Sequence, residues 1–214
     1  MRLWGHPLKG HGEIPLYTLC RWAAVPLFGG LYRCRARGVE HLPHDGPAIV
    51  IIDHKSNVDP VVVGMILHRP LRYMAKKELF FHRWFNAFIG TLGAFPIERG
   101  VGDREALRRS LEILEGGEVL LMFPEGTRFR DREVHPFLPG VGMIALRSGA
   151  PVVPMAMDGT QRIVGDDGRP GLPALRAIVG PPLDLSDITG RNSKAYQEAA
   201  VRMHRAVAGL YERL

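Results

Sequence analysis

Ala48-Ile49-Val50-Ile51-Ile52-Asp53-His54-Lys55-Ser56-Asn57-Val58-Asp59-Pro60-Val61-Val62-Val63-Gly64 is the stretch from which the rest of the chain can be read. Its first five residues are apolar, four of them β-branched, and turn residues flank them. That composition predicts a strand buried on both faces. Asp59 followed by Pro60 predicts a helix start, with Asp59 as N-cap, Pro60 at the first helical position and the helix running over 60–68. His54 then stands in the loop at the carboxyl end of a strand. Open α/β sheets bind their ligands at that edge. A histidine there, with a carboxylate near enough to orient it, is a candidate general base.

Outward from this stretch the pattern alternates. Leu71 to Ala75 reads as a strand, Glu78 to Ile89 as a helical region and Ala94 to Ile97 as a strand. A helix over 103–115 follows, with Asp103 as N-cap, Leu107, Leu111 and Leu114 on one face and Gly116-Gly117 as its stop. Then come strand 118–123, a helix near Val141 to Arg147 and strand Val152 to Met157. Asp158 to Pro173 is rich in Gly, Asp and Pro and reads as a loop. Arg176 to Val179 is a late strand, expected at an edge. The final helix, from about Ser193, carries Tyr196, Ala200, Met203, Val207, Leu210 and Leu214 as one apolar stripe. Alternation of strands and helices predicts an α/β fold, a largely parallel central sheet flanked by helices.

The 214 residues are 46% hydrophobic and 23% charged, enough apolar material for one large core and too much for a disordered chain. A net charge of +6 favours an anionic partner, although no run of Lys and Arg resembles a nucleic-acid tail, and no nucleic acid is expected. Cys20 and Cys34 match no metal-site spacing and read as free thiols in a reducing compartment. Residues 1–38 differ from 39–214. Trp4, Tyr17, Trp22, Phe28 and Tyr32 alternate there with Lys9, Arg21, Arg33, Arg35 and Arg37. Aromatic and cationic residues together suit an apolar helical segment lying in a membrane interface, and equally a helix pair capping the core. The longest charge-free run, Trp22 to Tyr32, is short of the ~20 residues that cross a bilayer.

Two further segments end apolar runs with charged residues: Gly93-Ala94-Phe95-Pro96-Ile97-Glu98-Arg99-Gly100 and Phe123-Pro124-Glu125-Gly126-Thr127-Arg128. Parallel strands would bring both to the edge that carries His54. Singly each is weak, since Asp59 can cap a helix and Arg99 or Arg128 can sit in a structural ion pair. Together, in order and spacing, the segments resemble the glycerolipid acyltransferases, in particular the 1-acyl-sn-glycerol-3-phosphate acyltransferase family. That family's Asn-His-x-Ser-x-x-Asp motif is Asp53 to Asp59 here, with Asp53 in place of Asn. Its arginine motif corresponds to Gly93 to Arg99, with Pro96 replacing a larger apolar residue. Its Phe-Pro-Glu-Gly-Thr-Arg motif is present in full at 123–128, and its Val-Pro strand end is Val152-Val153-Pro154. Ala75-Lys76-Lys77-Glu78-Leu79 is similar to its lysine stretch. The resemblance covers residues 39 to 185.

The resemblance implies transfer of a fatty acyl group from a thioester to the hydroxyl of a lysophospholipid, in phospholipid biosynthesis. It implies His54 as general base and Asp59 as its orienting carboxylate. Arg99, Glu125, Gly126, Thr127, Arg128 and Lys76 would form the acceptor site, with Glu125 orienting Arg128 or the glycerol. Ser56 would brace the loop, and amides near Gly126-Thr127 would be candidates for an oxyanion hole. Acyl-CoA or acyl carrier protein would be the co-substrate. No cofactor and no metal is expected, and the site would open onto a membrane surface, at the cytoplasmic face of the cell membrane, with the enzyme peripheral or monotopic. Phe80, Phe81, Trp84, Phe85 and Phe88 are candidates for an acyl tunnel or, more simply, a core stripe. Competing readings are another acceptor, a metal-dependent hydrolase using Asp53, His54, Asp59 and Glu125, and a lipid-binding protein without activity.

Overall fold

The computed structural model describes residues 15–67, 69–81, 89–90, 92–97, 104–164 and 168–214. Helix α1 (Pro15–Ala24) runs into a π-helical turn (Val25–Leu31) containing Pro26 and Gly29-Gly30. The rest is one sheet between helices. Its strands are β1 (Arg35–Arg37), β2 (Ala48–Ile52), β3 (Leu71–Lys76), β4 (Ala94–Ile97), β5 (Val119–Met122), β6 (Val152–Asp158) and β7 (Arg176–Val179). The helices between and after them are α2 (Asp59–Ile66), α3 (Arg104–Glu115), α4 (Pro139–Ser148) and α5 (Ser193–Tyr211).

The sheet order is β1-β7-β6-β2-β5-β3-β4, and only β6 and β7 pair antiparallel. The predicted, largely parallel α/β sheet is thus present. Every residue of β2, β5 and β6 is buried. The period of two sorts their side chains to opposite faces. Ala48, Val50 and Ile52 join the core shared with α2 and the N-terminal helices, while Ile49 and Ile51 join the core shared with α4 and α5. On that second side α4 and α5 approach so closely that a Cβ on Gly142 would stand 2.1 Å from Tyr196 O. Only glycine allows that separation. Asn192 caps α5 by accepting the Ala195 N–H at 3.0 Å. The predicted stripe from Tyr196 to Leu210 is buried.

Three elements differ from expectation. β7 is not an edge, because β1 covers its outer side in parallel register, Arg35 opposite Arg176. β1 is only Arg-Ala-Arg, too short and too charged for periodicity to register it. α2 starts at Asp59, after Val58, with no side-chain cap. The Asp59 carboxylate is engaged elsewhere. The proposed Asp103 cap and most of the 78–89 helical region lie outside the described residues.

Chain order explains where a site can form. From β2 the chain goes to β3 and β4, returns to β5 on one side of β2, then passes to β6 on the other. Strand order reverses around β2, and the carboxyl end of such a strand is where open α/β sheets bind their ligands. His54 lies there, two residues beyond Ile52.

Candidate active site

His54 is 9% exposed, and its ring is held by two contacts and its backbone by two more. Nδ1 donates to Asp59 Oδ2 at 2.9 Å. The ring stacks on Phe123, with centroids 4.0 Å apart. Its backbone N–H donates to Glu125 Oε2 at 2.8 Å, and its carbonyl accepts from Phe129 N at 2.9 Å. With Nδ1 donating to Asp59, Nε2 is the nitrogen that carries the lone pair in the neutral ring. This is the base-and-orienter geometry of acyl-transfer triads.

Asp59 is completely buried, and the same Oδ2 also accepts the N–H of Lys55 and of Ser56, each at 2.8 Å. The loop therefore folds around the carboxylate rather than the carboxylate capping the helix. Asp59 is also the first residue of α2, where the helix dipole favours a negative charge. Ser56 Oγ accepts from Val58 N at 3.5 Å, a bracing role as expected.

The Phe-Pro-Glu-Gly-Thr-Arg loop follows β5, the neighbour of β2, so it lands on the His54 loop. Glu125 is buried, and its second oxygen accepts the His135 N–H at 2.8 Å. Both oxygens thus hold backbone, tying motif to motif. Gly126 has φ +72°, and a Cβ there would stand 2.7 Å from Leu138 Cδ1. Its N–H donates to Phe123 O at 3.1 Å, which removes it from the expected oxyanion role. Thr127 and Arg128 are exposed. Arg128 Nη1 donates to Asn57 Oδ1, which sets its guanidinium over the His54 loop. Lys76 is exposed at the end of β3. Arg99 lies outside the described residues, as do Trp84, Phe85 and Phe88. Phe81 is 72% exposed and walls nothing.

Sequence reasoning missed a buried charge cluster beneath the loop. The Lys55 side chain is only 1% exposed. Its Nζ donates to Glu133 O, lies 3.5 Å from Asp53 Oδ2 and sits over the Tyr211 ring, 5.4 Å from the centroid. The carboxylate where the family carries Asn therefore meets a lysine. Burial, opposed by Lys55 and reinforced by Glu125 and Asp59, pushes the Asp53 carboxyl up to about 7. A signal was present in Arg128 to His135, a run of alternating charge that no single motif explained.

Among the described residues no group of three His, Cys, Asp or Glu side chains is arranged to hold a metal ion. An apolar cavity of about 300 Å³ opens between the N-terminal helices and α2, lined by Ala24, Leu27, Phe28, Val61, Met65 and Tyr73. Pro60 and Val61 follow Asp59 directly, which puts one end of the cavity beside the loop.

A buried His–Asp pair at the carboxyl edge of a largely parallel sheet, with an arginine from the neighbouring loop over it, has the geometry of a general base and its orienting carboxylate. Comparison makes the class specific: the chain belongs to the acyltransferase family, whose model, described as Acyltransferase, matches residues 33–158. A 1-acyl-sn-glycerol-3-phosphate acyltransferase of Bacillus subtilis is 32% identical over 185 residues, 84% of this chain and 88% of that one. One from Streptococcus pneumoniae is 27% identical, over 90% of this chain and 72% of its own. The crystal structure of the 1-acyl-sn-glycerophosphate acyltransferase of Thermotoga maritima superposes with a TM-score of 0.74 at 25% identity, covering 92% of this chain and 80% of that one.

Proposed function

We propose that the protein moves a fatty acyl group from an acyl thioester, acyl-CoA or acyl carrier protein, to the free hydroxyl of 1-acylglycerol 3-phosphate, making phosphatidate for phospholipid biosynthesis. The observation that carries this reading is the 2.9 Å contact between His54 Nδ1 and Asp59 Oδ2. His54 Nε2 takes the hydroxyl proton as the oxygen attacks the thioester carbonyl, and Asp59 stabilises the imidazolium. The proton then goes to the departing thiolate. The test is a mass-spectrometric product assay with lysophosphatidate and both donor types. Phosphatidate and free thiol in equal amounts are expected, while acylation only of other acceptors would overturn the choice of lipid.

Arg128 receives the acceptor phosphate, with Arg99 and Lys76 as further cations, Glu125 as the brace that fixes the loop, and Gly126 and Thr127 as its turn. A guanidinium grips phosphate through two parallel donors, which an ammonium cannot do. Arg128→Lys is expected to raise the KM for lysophosphatidate about tenfold with little change in kcat. An unchanged KM would place the phosphate elsewhere. The 300 Å³ apolar cavity supports an acyl-chain site beside the base.

Residues 1–38 dock this catalytic unit, 39–214, on the cytoplasmic face of the membrane. Among the described residues no helix is long and apolar enough to cross a membrane. Support comes from Leu19, Trp22, Leu27 and Leu31, which are 63%, 54%, 45% and 51% exposed on the N-terminal helices. Apolar side chains grouped this way suit burial at the headgroup boundary. Replacing Leu19 and Trp22 together with serine is expected to weaken partition onto anionic vesicles by about tenfold or more in a sedimentation assay. Equal sedimentation of variant and parent would refute the docking role.

A further inference from the structure

A second cavity, of about 600 Å³, lies at the carboxyl end of β6, lined by Arg132, Asp158, Arg162, Gly171, Pro173 and Arg176 among others. Three arginines and one carboxylate line it, and that carboxylate is committed to structure. Asp158 Oδ1 accepts Gln161 Nε2 at 2.7 Å and Tyr211 OH at 3.1 Å. Its Oδ2 accepts Arg162 Nη2 at 3.0 Å and lies 3.9 Å from Arg132 Nη2. Arg176 Nη1 donates to Leu214 O at 3.0 Å. The arginines carry more N–H donors than these acceptors can take, and their side chains reach water: Arg132 is 70% exposed and Arg162 is 48% exposed. The result is an open cationic cavity suited to phosphate groups.

Its position relative to His54 is set by the chain. After Arg128 the backbone crosses the His54 loop, where Phe129 N bonds His54 O at 2.9 Å. On the far side Arg130 Nη2 bonds Gln161 O at 3.0 Å, and Arg132 reaches Asp158. Arg128 and Arg132 therefore flank one catalytic loop, the first toward α2 and the second toward β6. The cavity is also tied to the loop through Tyr211, whose ring lies under Lys55 and whose hydroxyl bonds Asp158.

The proposed reaction joins two anionic substrates. The acceptor carries one phosphate, and a thioester donor of the CoA or carrier-protein type carries its acyl group on a phosphorylated pantetheine arm. Two anionic groups brought to one base repel each other unless each has cations of its own. We propose that the Arg132–Arg162–Arg176 cavity takes the phosphate groups of the acyl donor, separately from the acceptor phosphate at Arg128. This rests on the acyl-transfer reading. The donor thus approaches from the β6 side, with its polar arm in water and its acyl chain directed toward the apolar cavity beside α2.

The test is initial-rate kinetics on the full-length protein and its Arg132→Gln/Arg176→Gln variant, with lysophosphatidate as acceptor. Three donors are compared: acyl-CoA, acyl carrier protein and the phosphate-free acyl thioester of N-acetylcysteamine. The variant is expected to raise the KM for the phosphorylated donor by about tenfold or more, with the KM values for lysophosphatidate and for the phosphate-free thioester unchanged. Whether the rise falls on acyl-CoA or on acyl carrier protein identifies the source of the phosphate. A rise in the lysophosphatidate KM would assign the cavity to a lipid headgroup and overturn the proposal. So would an equal rise with the phosphate-free thioester, or no change with either phosphorylated donor. A wild-type protein that makes no phosphatidate from any donor would instead defeat the acyl-transfer reading.

Discussion

His54→Ala is expected to lower the kcat of acyl transfer by about 10²–10⁴-fold while leaving the fold intact. A glycerol hydroxyl attacks a thioester slowly unless its proton leaves as the new bond forms, and Nε2 is the acceptor that the geometry provides. Removal of the side chain also leaves little unsatisfied. Its Nδ1 is one of three donors to Asp59 Oδ2, and the N–H groups of Lys55 and Ser56 remain to hold that oxygen. The backbone contacts of residue 54 with Glu125 and Phe129 do not depend on the side chain. Loss of rate with an unchanged thermal midpoint therefore separates chemistry from folding. The measurement is single-turnover transfer from acyl-CoA to lysophosphatidate at saturating substrate, with circular dichroism beside it. Wild-type rates in the alanine variant would end the general-base assignment. The same rates would also point to a nucleophile in the enzyme, for which Ser56 was the candidate. Ser56 Oγ accepts the Val58 N–H, and its own N–H holds Asp59, so its contacts are those of a loop brace.

The parts of the fold that were legible are those where one physical requirement acts alone. β2 is a five-residue run of Ala, Ile and Val because both its faces are buried, and its limits came out as expected. β6 was read within a residue for the same reason, and the limits of β4, an edge strand with only Phe95 buried, also came out as expected. β1 was hidden because Arg35 and Arg37 are exposed and Ala36 alone is buried. β7 was misplaced at an edge because nothing in Arg-Ala-Ile-Val says that another strand covers it. In the site, His54 and Asp59 were visible through spacing and Arg128 through the family resemblance, and the structure brings them onto one loop cluster. Lys55 was not, since a lysine in a turn reads as solvated. Its burial depends on Glu133 and Tyr211, distant in sequence. Asp59 was given the right partner and a wrong second duty. An aspartate before a proline fits an N-cap, but here three donors from the preceding loop converge on its Oδ2, and α2 begins without a side-chain cap.

Asp53→Asn, which restores the amide that the family motif carries, is expected to remove a large pH dependence of stability. Asp53 is 1% exposed, and neither carboxylate oxygen has a hydrogen-bond partner among the described residues. Lys55 stands 3.5 Å away, too far to replace lost hydration. Burial raises the carboxyl to about 7 against an ordinary value of 3.8. Between those two pH values the unfolded chain has released the proton and the folded protein still holds it. The folded state binds more protons, so stability falls as pH rises from about 4 to about 7 and levels off above. The span corresponds to on the order of 4 kcal/mol. The substituted amide does not titrate, so the unfolding free energy of the variant minus that of the parent should grow across this window and then stay constant. A constant offset from the new amide shifts this difference curve without changing its shape. Asp131 and Asp158, whose carboxyls are held below the usual range, act in the opposite direction and lose their contribution in acid. Both proteins contain them, so they cancel in the difference. Urea unfolding at pH 4, 5.5, 7 and 8.5 gives the curve directly. Parallel profiles for the two proteins would mean that Lys55 keeps Asp53 ionised throughout, and that the pair is a buried salt bridge.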